Sequence, residues 1–177
     1  MNRRERFKVY HHNYIYKGTL HGVKKYIVLA HDDGTMTFTD FHRYLGNPNR
    51  KIKPENENGN NRAAFVCEFL NYAFFTAGIS SLSELTVEIG RSFLTAYGMH
   101  ELPDDNEDVH RNKTTIQRCA STILDFYINL IDDPFSGAKI KAEDLYKTIT
   151  VRDKHGKAIQ KNIPKFEVRH HFAFKRC

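Results

Sequence analysis

Hydroxyl, amide and cationic side chains gather at the start of the clearest helical segment in this sequence. They fall within the first turns of the stretch from 112 to 133 and comprise Lys113, Thr114, Thr115, Gln117, Arg118 and Ser121. At a helix N-terminus, unpaired amides and the positive end of the helix dipole favour an anion. The residue types therefore suit phosphate. The simpler alternative is a solvated polar face on a packed helix.

Apolar residues in the same stretch predict the helix that positions this group. They recur at i, i+3, i+4 and i+7, which is the spacing of one helical face. These residues are Ile116, Cys119, Ala120, Ile123, Leu124, Tyr127, Leu130 and Ile131. Asn112 or Thr114 can cap the start, and Asp132-Asp133-Pro134 ends the helix.

Composition favours a soluble protein without a metal or cofactor. The 177 residues are 40% apolar, with no run of eighteen apolar residues and no secretion leader, so we expect no membrane partner. The cysteines fit neither a metal knuckle nor a disulfide framework, which predicts reduced thiols and a cytoplasmic location. The pairs His11-His12 and His170-His171 are adjacent in sequence, and adjacent residues of a strand point to opposite faces and do not readily share an ion.

Charge is distributed unevenly along the chain. Residues 1–30 carry a balance of +6 and residues 147–177 a balance of +7, whereas residues 31–146 carry −7. Basic ends would strengthen contact with a polyanion through counterion release. The acidic middle argues against a surface that coats DNA uniformly.

Changes of pattern predict an α+β chain in four parts. Residues 1–45 form a small three-stranded antiparallel β unit, with a turn at His31-Asp32-Asp33-Gly34 and a short helix capped by Thr39 or Asp40. Residues 46–61 are a linker by composition. Residues 62–147 form a helical bundle, and 148–177 form a β-hairpin and tail.

Within the helical part, two further helices are predicted. An apolar face runs from Arg62 to Ala77 and ends at Gly78, where a left-handed cap costs little. Ser81-Leu82-Ser83-Glu84 has the spacing of a capping box, and Thr86 can open the next helix.

The N-terminal β unit mixes basic and aromatic residues, for which we weigh two interpretations. A sheet of this kind could lie in a DNA groove, with its cations contacting phosphates. Those cations are Lys8, Lys17, Lys24 and Lys25. Alternatively, the aromatic residues form the thin core of a small sheet.

Four segments of the helical part resemble the core-binding, SAM-like domain of phage-type integrases, the tyrosine recombinase family. They are F-V-C-E-F-L-N-Y (65–72), I-S-S-L-S-E-L-T (79–86), F-L-T-A-Y (93–97) and the segment 113–130. The last has the family's pattern T-I-x-R-x-x-S-x-x-x-x-F-Y, in a helix whose polar N-terminal face meets DNA. Residues 8–45 stand where many such integrases carry an arm-type DNA-binding module.

The resemblance implies a DNA-binding fragment of a site-specific recombinase that holds duplex DNA for integration without cleaving it. The group at 113–121 would contact phosphates and base edges, and three further cations, Arg62, Lys139 and Lys141, would support it. In the full-length protein, other recombinase protomers would be partners.

The sequence departs from the family in lacking its catalytic constellation. It has no His-x-x-Arg, and its tyrosines lack the catalytic partners that the family provides. We therefore expect no catalytic residues and no enzyme activity, as in a fragment or truncated gene product that lacks the catalytic domain. Two other hypotheses remain, namely a helical protein-interaction module without DNA binding and an enzyme with an unrecognised site.

Overall fold

Two small sheets and three α-helices make up the described part of the chain in a computed structural model. The structure describes residues 5–46, 61–105, 111–152 and 154–166, without the side chains of 13–16 and 19–24. The predicted α+β class, with an N-terminal three-stranded sheet and a C-terminal hairpin, is confirmed. Most of the predicted linker and the tail beyond Phe166 lie outside the described residues.

The N-terminal sheet is antiparallel and has the strand order β1-β2-β3. Its strands are β1 Arg6–Tyr16, β2 Thr19–Ala30 and β3 Met36–Phe38. The predicted turn between β2 and β3 is present, with Gly34 at a φ of 88° that favours glycine. A 3₁₀ helix at Asp40–Leu45 follows, and the Thr39 hydroxyl both caps it and donates to the Ile27 carbonyl at 2.7 Å.

The three α-helices begin close to their predicted starts. They are α1 Arg62–Asn71, α2 Val87–Met99 and α3 Lys113–Asp132. A π-helical turn, Tyr72–Thr76, extends α1, and Thr86 and Asn112 cap α2 and α3 respectively. The predicted capping box is wrong, because Ser81 makes no side-chain cap bond and Glu84 accepts from the amide of Ser80, at 2.9 Å, and not from that of Ser81.

Sheet and helices share one hydrophobic core. Phe7 of β1 is buried, and its ring packs edge-on against Phe74 at a centroid distance of 5.3 Å. The Phe7 amide donates to Asn71 Oδ1 at 2.7 Å, and Asn71 Nδ2 donates back to the Phe7 carbonyl at 3.1 Å. Ile27 of β2 is fully buried in the same core as Phe69 and Phe126. The predicted boundary at 46–61 therefore does not separate two cores.

The C-terminal hairpin is anchored to the helices at its base. It follows a 3₁₀ helix, Ala142–Leu145, and consists of β4 Tyr146–Arg152 and β5 Ala158–Pro164. The Phe166 ring lies 5.0 Å from the Tyr127 ring, and the Lys165 amide donates to the Leu145 carbonyl at 2.8 Å. These contacts place the base of the hairpin against α3.

Candidate nucleic-acid interface

Five of the six polar residues predicted at the start of α3 share one exposed face. They are Lys113, Thr114, Gln117, Arg118 and Ser121, and we call them the α3 polar face. At about 100° per residue they span an arc of roughly 140°. The buried positions Cys119, Ile123 and Tyr127 lie on the other side of the helix. Core packing of the apolar face thus turns the polar face outward.

Thr115, the sixth residue, belongs to the helix cap. It is half-buried, and both its amide and its hydroxyl donate to Asn112 Oδ1, at 2.9 and 3.1 Å. This cap pairs the Thr115 amide, one of the first-turn amides that a helix cannot satisfy with its own carbonyls. The first turn of α3 contains no acidic residue, so the positive end of its dipole is not neutralised from within that turn.

A buried ion pair holds the segment that leads into α3. Arg111 donates to Asp105 from both terminal nitrogens, at 2.7 and 2.5 Å, and its guanidinium lies 4.1 Å from the centroid of the Tyr97 ring. The hydrogen bond from Arg111 is the main cause that lowers the pKa of Asp105. This clamp fixes the chain immediately before Asn112 and so orients the first turn of α3.

A buried carboxyl lies beside this clamp. Burial raises the pKa of Glu68, against an opposing effect of the Arg111 charge. Its Oε2 atom is buried and has no hydrogen-bond partner among the described residues. Burial also raises the pKa of Cys67 to about 12 and the pKa of Cys119, so both thiols are protonated at neutral pH and are poor nucleophiles.

Arg62 has a structural role in place of the phosphate contact predicted for it. Its side chain is only 11% exposed and forms an ion pair with Asp125, with Nη2 2.9 Å from Oδ2. Nε donates to the Leu45 carbonyl at 2.6 Å, and Nη2 donates to the Gly46 carbonyl at 2.9 Å. Three acceptors engage the guanidinium, so the structure offers no exposed Arg62 for a phosphate.

Lys139 and Lys141, the other predicted supporting cations, are exposed but follow the C-terminal end of α3. The Nζ atom of Lys141 is 3.7 Å from Glu143 Oε1, in a pair in which both side chains are about three-quarters exposed. Such a pair contributes little to stability. These lysines lie on a different segment from the α3 polar face.

The cations predicted for the N-terminal sheet are described in part. Lys8 and Lys17 are exposed, Lys25 is half-buried, and the side chain of Lys24 lies outside the described part. The strand register puts Lys8 on the face of the sheet opposite to Phe7. On that face the Phe38 ring, 59% exposed, lies 5.5 Å from Tyr10 and 5.7 Å from Tyr26. The sheet thus presents a basic and aromatic surface.

Comparison with known proteins gives no relative. No protein-family model, no curated protein and no solved structure matches this chain. Within the described ranges, no helix is long and apolar enough to cross a membrane, and no group of three or more potential ligands could hold a metal ion. The resemblance to tyrosine recombinases therefore stays a prediction from the residues.

Proposed function

We propose that this chain binds duplex DNA through the α3 polar face, as the DNA-holding part of a site-specific tyrosine recombinase that does not itself cleave DNA. The observation that carries the proposal is the exposure of two cations, an amide and two hydroxyls on one face at a helix N-terminus. Such groups contact phosphate oxygens, and an arginine or glutamine can also read a base edge in the major groove.

Ion pairs with arginine engage several carboxylates of the acidic middle of the sequence. Asp105 and Asp125 are engaged by Arg111 and Arg62, in pairs whose side chains are at most 11% exposed. At the surface, three more acidic residues have arginine partners within 4 Å, namely Glu88, Asp104 and Asp133. Four of these five arginines lie within residues 31–146 and are already counted in its balance of −7, so only Arg6 brings compensating charge from outside.

Other surfaces would add to this contact. Lys8, with the aromatic residues beside it, suits a second, arm-type contact, and Lys139 and Lys141 suit flanking phosphates. In this proposal the protein acts in the cytoplasm, with further recombinase protomers as partners. Each added phosphate contact would release counterions and raise affinity.

A titration of labelled duplex DNA with the full chain tests the proposal. Lys113→Ala combined with Arg118→Ala should weaken binding by roughly 1–3 kcal/mol if one of the two reads a base edge. The matched control combines Arg43→Ala with Arg91→Ala, which also removes two positive charges from exposed positions. Equal affinity of the α3 variant and the wild type would remove this face from the interface.

The second candidate function is a protein-interaction module without DNA binding. Exposed apolar side chains on β3 and after α3 favour it, since Met36 is 51% exposed, Phe38 59% and Phe135 90%. Exposed apolar groups mark contact with another protein where they form a contiguous patch, as Met36 and Phe38 could on β3. The titration separates the two functions, because the module predicts no binding of duplex DNA even at low salt.

A further inference from the structure

The ribbon formed by β4 and β5 is a second basic surface, separate from the α3 polar face. Between residues 146 and 166 the sequence has six Lys or Arg and a single acidic residue, Asp153. Most side chains in the described part of the ribbon are exposed, whereas Ile149 and Val151 are half-buried and Ile163, near the base, is buried. A basic surface that projects in this way is complementary to a polyanion.

The ribbon is held firmly enough to present its side chains. An isolated two-stranded hairpin is marginally stable in water. Here Phe166 is 3% exposed and packs into a space on α2 that exists because residue 90 is glycine, since a Cβ at Gly90 would lie 2.6 Å from Phe166 Cε1. Leu145, at the other strand's base, is fully buried. Both strands are therefore anchored at the same end, and the turn lies at the far end.

Strand pairing divides the ribbon into two different faces. One face alternates cations with aliphatic residues, in the pairs Lys147–Ile163, Ile149–Lys161 and Val151–Ile159. The other face is polar apart from Ala158, in the pairs Thr148–Asn162, Thr150–Gln160 and Arg152–Ala158. We call this second set the ribbon polar face. All six of its residues are exposed, and Thr148 Oγ1 donates to Asn162 Oδ1 at 2.8 Å.

We propose that the ribbon polar face enters the major groove of duplex DNA as a second contact. This proposal rests on the proposed function, from which it takes duplex DNA as the ligand. The shape of the ribbon and its side chains are the independent observations. A major groove about 12 Å wide admits a two-stranded ribbon, whose strands are about 4.8 Å apart. Arg152, Gln160 and Asn162 are the residue types that pair with guanine and adenine edges. The cations of the opposite face, Lys147 and Lys161, then point away from the bases and add only to the general attraction of the ribbon to DNA.

Fluorescence anisotropy with the full chain and labelled mixed-sequence duplexes tests this proposal. Arg152→Ala combined with Gln160→Ala should weaken binding about tenfold if the pair reads base edges. The control combines Lys161→Ala with Asn61→Ala, which also removes one cation and one amide. Lys161 lies on the opposite face of the ribbon, and Asn61 lies outside the ribbon. That control should weaken binding by less than about threefold, because a cation that faces away from the bases adds only to the general electrostatic attraction.

The outcomes separate this proposal from the proposed function. Wild-type binding that is weakened by the α3 variant but not by the ribbon variant overturns the ribbon contact alone. Equal losses in the ribbon variant and its control show that charge, not the polar face, matters, and also overturn it. If the wild type does not bind duplex DNA, both proposals are overturned. The same holds if it binds anionic lipid vesicles or an acidic protein but not duplex DNA. Unchanged circular dichroism of each variant verifies that the fold is retained.

Discussion

Arg62 and Asp125 form a buried ion pair that ties the start of α1 to the middle of α3. Their charged atoms are 2.9 Å apart, and both side chains are about one-tenth exposed. Arg62 also donates to the carbonyls of Leu45 and Gly46, so one guanidinium joins two helices and the end of the N-terminal β unit. Asp125 follows Ser121 by one helical turn. The pair therefore holds α3 in place directly below its polar face.

Removal of Asp125 should destabilise the whole chain. Asp125→Ala leaves Arg62 charged and buried without its partner, and such a change typically costs about 3–5 kcal/mol of unfolding free energy. Urea denaturation followed by circular dichroism measures the loss. Glu88→Ala is the matched control, because it breaks the exposed Glu88–Arg91 pair and should cost less than about 1 kcal/mol. Similar small losses for both variants would contradict the structural role of Arg62.

Glycine at position 90 should be needed for the hairpin to dock. Gly90→Ala would place a Cβ 2.6 Å from Phe166 Cε1 and 2.9 Å from Tyr127 Oη. The resulting overpacking should lower the unfolding free energy by about 1–3 kcal/mol, although alanine is the better helix former. In the background Phe166→Ala, the same substitution should cost much less, because its main steric partner is gone. Additive losses in the double variant would show that Phe166 does not occupy this space.

Replacement of Glu68 should change how stability depends on pH. Because burial raises the pKa of Glu68 above its ordinary value of 4.5, the native state binds more protons than the unfolded state. Its contribution to the unfolding free energy therefore falls as pH rises through the raised pKa. Glu68→Gln cannot ionise and so abolishes this loss. The difference in unfolding free energy, variant minus wild type, should therefore be larger at about pH 8 than at about pH 5.

Glu88→Gln, which changes an exposed glutamate of α2, is the control for this comparison. Denaturation midpoints of the wild type and both variants at the two pH values give the result. The pH range avoids the titration of Asp105, whose lowered pKa makes its stabilising contribution disappear only at more acidic pH. A difference between Glu68→Gln and wild type that does not change with pH would contradict the raised pKa.

Local patterns in the sequence predicted most of the fold. The period of apolar residues located α3. Short oxygen-bearing side chains predicted helix starts at Thr39 or Asp40, at Thr86, and at Asn112 or Thr114, and the structure shows Thr39, Thr86 and Asn112 as the caps. These features depend on residues a few positions apart. The exposure of the α3 polar face could be predicted for the same reason, since one helical period determines both of its sides.

Long-range contacts were beyond the reach of those patterns. Nothing in the sequence around Arg62 distinguishes it from the exposed lysines that were predicted to contact phosphates. It is buried because it pairs with Asp125, which is 63 positions away in the chain. The Arg111–Asp105 ion pair joins two residues of a polar loop, where no periodic pattern indicates which charges meet. The fit of Phe166 against Gly90 likewise depends on how the hairpin folds back onto α2.

The salt dependence of duplex binding tests the central claim most directly. Anisotropy titrations of the full chain at about 50 and 200 mM salt should give affinities that differ by roughly two orders of magnitude for about four phosphate contacts. A steep loss of affinity of this size, which becomes less steep in the variant that combines Lys113→Ala with Arg118→Ala, is the predicted result. No binding at the lower salt concentration, or binding that does not respond to salt, would contradict the account.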